Sequence, residues 1–240
     1  MNPVFHVLVC HITTYSRVTT GLNASVATLT SMEQPSERKP LRADAARNVD
    51  KIITAARQCF REYGPEVPLQ TIAATAGVGP ATLFRNFSDK EQLVLAALSR
   101  QLRQHVDPVA AAAADGMDAA EGLINVIDAV MRVASEDANL LDAVAGRRGL
   151  LMGITGGLIG SMATLLERGQ GQGSLRKDIT IEDMVRLVAM LIGAVDTMEP
   201  GSEAWKRPVA LIEDAIRTER PSRPLPEQSG IPGVTLTEGA

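Results

Sequence analysis

The segment Leu69-Gln-Thr-Ile-Ala-Ala-Thr-Ala-Gly-Val-Gly-Pro-Ala-Thr-Leu-Phe-Arg-Asn-Phe87 predicts two short helices joined by a glycine turn. Residues Leu69 to Ala76 place their apolar side chains on one helical face, but the stretch is too short to be stable alone. Gly77-Val78-Gly79 favours a tight turn, and Pro80 suits the first position of a helix that we expect to run through Phe87. Both helices must therefore pack on a neighbour.

Longer helices are predicted on both sides of this segment. Apolar residues recur at helical spacing from about Ala43 to Tyr63, and Gly64 favours a stop. Ser88-Asp-Lys-Glu91 has the pattern of a capping box, from which a further helix is expected to run to about His105. A Gly turn between the second and third of three closely spaced helices is the layout of a helix-turn-helix DNA reader.

The helix after the glycine turn has two distinct sides. Leu83 and Phe87 lie one turn apart and are expected to face the core. The side chains left to project outward are those of Ala81, Thr82, Phe84, Arg85 and Asn86. Arg and Asn match the guanine and adenine edges of the major groove, and the small Pro80 and Ala81 would let the helix N-terminus approach DNA closely.

Three stretches resemble the TetR family in its TetR/AcrR form: Ile53-Thr-Ala-Ala-Arg-Gln-Cys-Phe60, Ile72-Ala-Ala-Thr-Ala-Gly-Val-Gly79, and Ala81-Thr-Leu-Phe-Arg-Asn-Phe87 with Ser88-Asp-Lys-Glu-Gln-Leu93. Downstream, Gly173-Ser-Leu-Arg-Lys-Asp-Ile-Thr180 resembles the loop before the eighth helix of many TetR-like effector domains, such as SbtR-like ones. The resemblance implies an all-α fold in which a helical ligand-binding and dimerisation domain follows the DNA-binding domain.

The same resemblance implies a set of DNA-contacting residues, with Lys90 on a phosphate. These residues are Gly79, Pro80, Ala81, Thr82, Phe84, Arg85, Asn86 and Lys90. Gly79 stands where the family often has a serine cap, and Phe84 where it usually has tyrosine. Without the tyrosine hydroxyl, we expect Phe84 to make an apolar contact with a sugar or a thymine methyl.

The charge is divided unevenly along the chain. Residues 37–105 hold eleven Lys/Arg against seven Asp/Glu, a net +4, whereas 106–240 hold twelve against twenty, a net −8. A basic module is thus followed by an acidic body, as expected if only the first binds nucleic acid. Cys10 and Cys59 have no metal-ligand spacing with the three histidines and cannot form a disulfide framework, so we expect no metal and a cytoplasmic location.

Beyond His105 only helical patterns occur, and about nine helices are expected in all. The predicted ones in the body are Ala119–Ala134, Asp137–Ala145, Arg148–Arg168, Ile181–Met198 and Trp205–Thr218. The last two carry apolar stripes that either pair with a second copy in a dimeric bundle, which the family resemblance favours, or form internal core. The stripes are Met184, Leu187, Val188, Leu191 and Val195, and Trp205, Val209, Ile212 and Ile216.

Leu150 to Leu166 carries no charge and contains four glycines. It is short for a membrane span, so a buried helix with close neighbours is the favoured interpretation. Its glycines also leave room for a small molecule beside Met131, Met152 and Met162, although adaptable methionines fill irregular cores more often than they line pockets.

The domain hypothesis has four parts. Residues 1–40 form an extension without stable structure, with a native start near Met32, and residues 41–92 form the DNA-binding domain. Residues 93–220 form the ligand-binding and dimerisation domain, and the Pro- and Gly-rich residues 221–240 form a disordered tail.

The functional hypothesis is a repressor that binds a palindromic operator on double-stranded DNA as a homodimer and is released by a small-molecule effector. The helix ending near His105 would act as the lever between pocket and DNA. A repressor without an effector and a membrane-associated helical protein are the alternatives. An enzyme is disfavoured because the sequence contains no nucleophile elbow, phosphate-binding Gly loop or cofactor motif.

Overall fold

The computed structural model describes residues 38–116, 118–144, 148–198 and 202–218, with backbone alone for 38–45 and 148–153. The predicted disordered tail, and the predicted extension up to residue 37, lie outside these ranges. The described residues form ten α-helices and no strand, and the predicted all-α fold is confirmed. The helices are α1 Arg38–Tyr63, α2 Leu69–Thr75, α3 Pro80–Asn86, α4 Lys90–His105, α5 Asp107–Ala114, α6 Ala119–Glu136, α7 Ala138–Ala143, α8 Arg148–Gln172, α9 Ile181–Ala194 and α10 Lys206–Ile216.

The first four helices form an N-terminal module around one hydrophobic core. The largest side chains in it are fully buried and come from every helix, which explains why helices as short as α2 and α3 are stable here. They are Ile52, Phe60, Ile72, Leu83 and Leu93. Phe87 is also buried, so the predicted inward side of the third helix is confirmed.

Glycines end the first two helices as predicted. Gly77, with a φ of 66°, adopts the left-handed conformation, and its N–H donates to the carbonyl of Ala74. The N–H of Val78 donates to the carbonyl of Ala73, which completes a Schellman motif and fixes the angle between α2 and α3. Gly64, with a φ of 80°, ends α1 in the same conformation.

Two local predictions are wrong in detail. Helix α1 begins at Arg38 rather than near Ala43, so the basic residues ahead of the predicted start belong to the helix. The N-cap of α4 is Asp89, whose carboxylate accepts a hydrogen bond from the N–H of Gln92, and not Ser88. The Ser88 hydroxyl instead donates to the Asp89 carboxylate, which is the stronger acceptor.

Helices α5 to α10 form the body, which packs around α6. The apolar stripes predicted for a dimer interface lie mostly inside this body: Met184 and Ile216 are fully buried, and Val188, Leu191, Trp205 and Val209 are nearly so. The interface assignment of those residues is therefore wrong, because both stripes cover α6 of the same chain. Helix α5, which the sequence pattern did not predict, buries only alanines in this core, Ala110 and Ala113, with Val109 packed against it.

Helix α8 is not fully buried, in contrast to the prediction, because part of its glycine-containing side is exposed to solvent. An added Cβ at Gly157 or Gly160 would meet no atom within 4 Å, and both residues are exposed. These two glycines therefore face outward and do not create internal space. No helix in the described ranges is both long and apolar enough to cross a membrane.

Candidate nucleic-acid interface and effector cavity

The outward side of α3 carries the candidate DNA contacts. Burial of Leu83 turns Ala81, Phe84 and Arg85 to the surface, and Thr82 is half-buried. Phe84 keeps 46% of its area exposed, which is unusual for so large an apolar side chain. The exposed ring fits the predicted apolar contact with a sugar or a thymine methyl.

Arg85 and Asn86 differ in how ready they are to bind a base. Within the described residues, Arg85 has neither a hydrogen-bond nor an ion-pair partner, and it is exposed, so all of its donors can reach a ligand. The Asn86 amide instead donates to the carbonyl of Thr82 at 2.8 Å. One of the two donor hydrogens of that amide is therefore already engaged, whereas all donors of Arg85 are available, which makes Arg85 the stronger candidate for a base contact.

The residues flanking this surface are small or basic. Gly79 is the N-cap of α3 and makes no side-chain cap, and Pro80 follows at the first position of the helix. Both are exposed, so the backbone there is open to a close approach. Lys90 lies in the first turn of α4, where its Nζ is 5.6 Å from the centroid of the Phe60 ring.

The methionines suggested for a pocket do not surround one. Met131 is fully buried and Met162 nearly so, both within the core of the body, and the side chain of Met152 lies outside the described residues. A cavity of about 70 Å³ lies elsewhere, between α4, α6, α7, α8 and α9. Its lining residues are Leu98, Leu102, Val130, Val133, Ala134, Leu141, Ile154, Thr155, Leu158 and Ile192.

The module and the body are joined by a buried ion pair that the sequence did not reveal. The Arg57 Nε donates to both carboxylate oxygens of Asp137, at 2.7 and 2.9 Å, and the Asp137 side chain is inaccessible to solvent. The Arg57 Nη2 also donates to Glu136, and the Asn139 amide donates to the carbonyl of Phe60. These partners are about eighty residues apart in sequence, so no local pattern could indicate them.

The one-turn helix α7 adds apolar contacts to the same junction. Leu140 and Val144 are buried in the core of the N-terminal module, although they follow α6 of the body in sequence. Helix α4 likewise crosses the predicted domain boundary at residue 92, with Leu98 in the core of the module and Leu102 against the core of the body. The two cores are thus connected through α7 as well as through α4.

A carboxylate on α7 should make stability depend on pH. Burial, and then the charge of Asp196, raise the pKa of the Asp142 carboxyl above its ordinary value of 3.8. A group whose pKa is higher in the folded state disfavours folding once it is ionised. The free energy of unfolding therefore falls as the pH rises from the unfolded-state pKa to the folded-state pKa. We expect Asp142→Asn to raise Tm at neutral pH, and the gain to vanish below pH 3.8, where the wild-type carboxyl is protonated.

Thermal melts of wild type and variant at both pH values measure this difference. Asp196→Asn serves as the control and should recover only part of the gain, because its charge is the smaller of the two causes. An equal gain at neutral and acidic pH would show that ionisation of Asp142 is not responsible.

The sequence of this chain is similar to a known protein family and to individual relatives. Residues 52–97, from the middle of α1 into α4, match the family model for bacterial regulatory proteins of the tetR family. An uncharacterized HTH-type transcriptional regulator of Mycobacterium tuberculosis is 24% identical over 185 residues, which are 77% of this chain and 91% of that protein. The HTH-type transcriptional repressor AcnR of Corynebacterium diphtheriae is 25% identical over 185 residues, or 72% of this chain and 93% of the repressor.

Similarity to a solved structure extends over both units. The crystal structure of the TetR transcription regulatory protein from Mycobacterium vanbaalenii is 30% identical to this chain, with a TM-score of 0.51. The match covers 75% of this chain and the whole of that protein, so it includes the body as well as the helix-turn-helix.

Proposed function

Because the chain belongs to the tetR family of bacterial regulatory proteins, we propose that it represses transcription by binding a palindromic operator as a homodimer and releases the operator when a small-molecule effector binds. The family consists of DNA-binding transcriptional regulators. Repression is proposed because a relative that this chain matches over most of its length, AcnR, is described as a repressor. The proposed location is the cytoplasm, where bacterial DNA is found.

The observation that carries the proposal is the exposed side of α3. A buried Leu83 fixes the rotation of this helix, so Phe84 and Arg85, which has no partner among the described residues, are exposed and point away from the core. A short helix that offers a guanidinium and an apolar ring beside a glycine N-cap fits the major groove better than an internal packing role. The net positive charge of residues 37–105 supports contact with phosphates.

A homodimer is supported by the outward faces of α9 and α10. Met190 is 52% exposed and Leu211 is 61% exposed, on the sides of these helices opposite to the buried stripes. A contact that covers both residues would remove apolar area from water, and a two-fold axis through it would match a palindromic operator. Sedimentation equilibrium at micromolar protein tests this interface, and a monomer mass would contradict it.

The proposed coupling between effector and DNA uses two connections rather than a single lever. Helix α4 leads from the body to the module, and α7 with its C-cap residue inserts Leu140 and Val144 into the core of the module, close in sequence to Asp137 of the Arg57–Asp137 pair. An effector that shifts either helix relative to α8 would reorient α3. The effector must bind the reoriented form more tightly, because otherwise it would not shift the equilibrium.

Arg85 and Lys90 are expected to affect DNA binding in different ways. Arg85→Ala should cost about 1–3 kcal/mol of operator binding and relax the preference for one base pair, because it removes a base contact. Lys90→Ala should weaken binding to all sequences alike and lower the slope of log K against log salt by about one, because it removes a phosphate contact. Fluorescence anisotropy with operator and mutated duplexes, after footprinting upstream of the gene, measures both effects.

The two variants serve as controls for each other. Circular dichroism of each should show a native helix content, since Arg85 is exposed and without an internal partner in the described chain. If Arg85→Ala weakened binding equally to every duplex, Arg85 would contact only the backbone of the DNA and the proposed base recognition would be wrong.

A further inference from the structure

The 70 Å³ cavity lies where the two hydrophobic cores of the chain meet. On one side its wall consists of Leu98, Leu141 and Ile154, which belong to the core of the N-terminal module or pack against it. On the other side it consists of residues that belong to the core of the body or pack against it, such as Val133 and Leu158. The cavity is therefore a gap in the seam between the two cores.

The chemistry of this wall restricts what can bind there. None of its ten residues is charged, and Thr155 supplies the only side-chain hydroxyl among them. A carboxylate or ammonium group in such a place would lose its hydration without gaining a partner, which costs several kcal/mol for an ion. The described part of the wall therefore favours an uncharged, largely hydrocarbon ligand.

Helix α4, which contributes to the cavity wall, also carries a buried oxygen without a hydrogen-bond partner among the described residues. Gln101 is 3% exposed, and its Oε1 has no hydrogen-bond partner among the described residues. It stands between Leu98 and Leu102 in sequence, both of which line the cavity. A buried acceptor without a donor costs stability, and one hydroxyl on a ligand could supply that donor.

We propose that the effector of this regulator is a small uncharged molecule, mainly hydrocarbon with at most a hydroxyl group, and that it binds in the seam between the two cores. This inference rests on the proposed function, since it names the chemistry of the effector. An engineered apolar cavity of about 150 Å³ binds benzene in another protein, so a guest of similar size would have to widen this 70 Å³ gap.

Widening the gap would act directly on the DNA-binding module. Leu141 faces the cavity, and its neighbour Leu140 is buried in the core of the module on the same six-residue helix. Close-packed cores rearrange rather than compress, so a guest that displaces α7 or α4 from α8 also displaces the module. Binding of a guest in this cavity would therefore change the orientation of the DNA-binding module relative to the body.

A larger cleft of about 600 Å³ beside the junction suits an effector less well. Its arginines already have partners, Arg61 with Glu136 and Arg132 with Asp128, whereas the buried Ser202 hydroxyl has none among the described residues. A polar ligand in that cleft would have to break these pairs before using them.

Straight-chain alcohols from 1-propanol to 1-hexanol, compared with carboxylates of the same lengths, test the proposal. The alcohols should raise Tm saturably, by about 3–6 °C at roughly ten times Kd, with an optimum chain length. The same alcohols should weaken binding of the protein to a DNA duplex by about fivefold or more. The carboxylates should do neither, because their charge cannot be desolvated in this wall.

Two variants separate binding in the cavity from effects of alcohol on the solvent. Ala134→Leu fills the gap with protein atoms and should abolish the rise in Tm, whereas Leu158→Ala enlarges it and should move the optimum to longer alcohols. If Ala134→Leu does not fold, Leu158→Ala decides the matter, and an unchanged optimum would overturn the proposal. The proposal would also be overturned if alcohols and carboxylates had equal effects, or if no alcohol raised Tm. A folded Ala134→Leu variant whose Tm still rose with alcohol as in the wild type would overturn it too. These outcomes differ from a failure of the proposed function, because in that case the protein would bind no DNA even without alcohol.

Discussion

Leu83→Ala is expected to lower the free energy of unfolding by about 2–5 kcal/mol and to abolish measurable operator binding. Leu83 is fully buried in the core of the N-terminal module and is the one residue of α3 that is buried there, so it fixes α3 against this core. Its removal leaves a cavity that a seven-residue helix cannot fill, because α3 has too few other buried side chains to hold its position. Urea unfolding followed by circular dichroism, together with anisotropy on operator DNA, measures both losses.

Phe84→Ala, one position further along, is the matched control. Phe84 is 46% exposed, so its truncation should change stability by no more than about 0.5 kcal/mol while still weakening DNA binding. The two neighbouring variants thus separate the inner side of α3 from the outer side. If Phe84→Ala destabilised the protein as much as Leu83→Ala, the assignment of the two sides would be wrong.

Asp137→Ala is the second substitution with a large expected effect. It removes a fully buried carboxylate from Arg57 and should cost about 2–3 kcal/mol of stability. This lies below the roughly 3–5 kcal/mol typical of a broken buried pair, because Arg57 is 22% exposed and keeps Glu136 as a partner. The variant should also respond less to any effector, since the module is then held to the body mainly by α4 and the apolar side of α7.

Glu136→Gln is the control for the junction. Glu136 binds the same arginine but is 45% exposed, so its loss should cost at most about 1 kcal/mol. A double-mutant cycle of Asp137→Ala with Arg57→Ala, measured by urea unfolding, should give a coupling energy of about 1–3 kcal/mol. Equal costs for Asp137→Ala and Glu136→Gln would show that the buried pair does not hold the module in place.

The N-terminal module could be predicted closely from sequence because its signals are local. Gly64 and Gly77 occupy left-handed positions that few other residues tolerate, and Pro80 marks the start of a helix, so the ends of three helices follow from single residues. The spacing of Leu83 and Phe87 then sets which side of α3 faces outward.

The body was harder to predict because its decisive contacts lie far apart in sequence. Helix α5 is built almost entirely from alanine, and a run of identical small residues has no apolar period to detect. The stripes of α9 and α10 look the same whether they face α6 or a second copy, and only the structure shows that Val188 and Ile212 cover α6. The pairing of Arg57 with Asp137 likewise has no signature in either segment.

The claim on which the rest depends is that the exposed side of α3 binds DNA. Titration of the wild-type protein against a random-sequence duplex, followed by gel shift at low salt, tests it most directly. A complex should form at micromolar protein and weaken steeply as salt is added, because non-specific binding consists largely of phosphate contacts. If micromolar protein formed no complex at low salt, that claim would be contradicted.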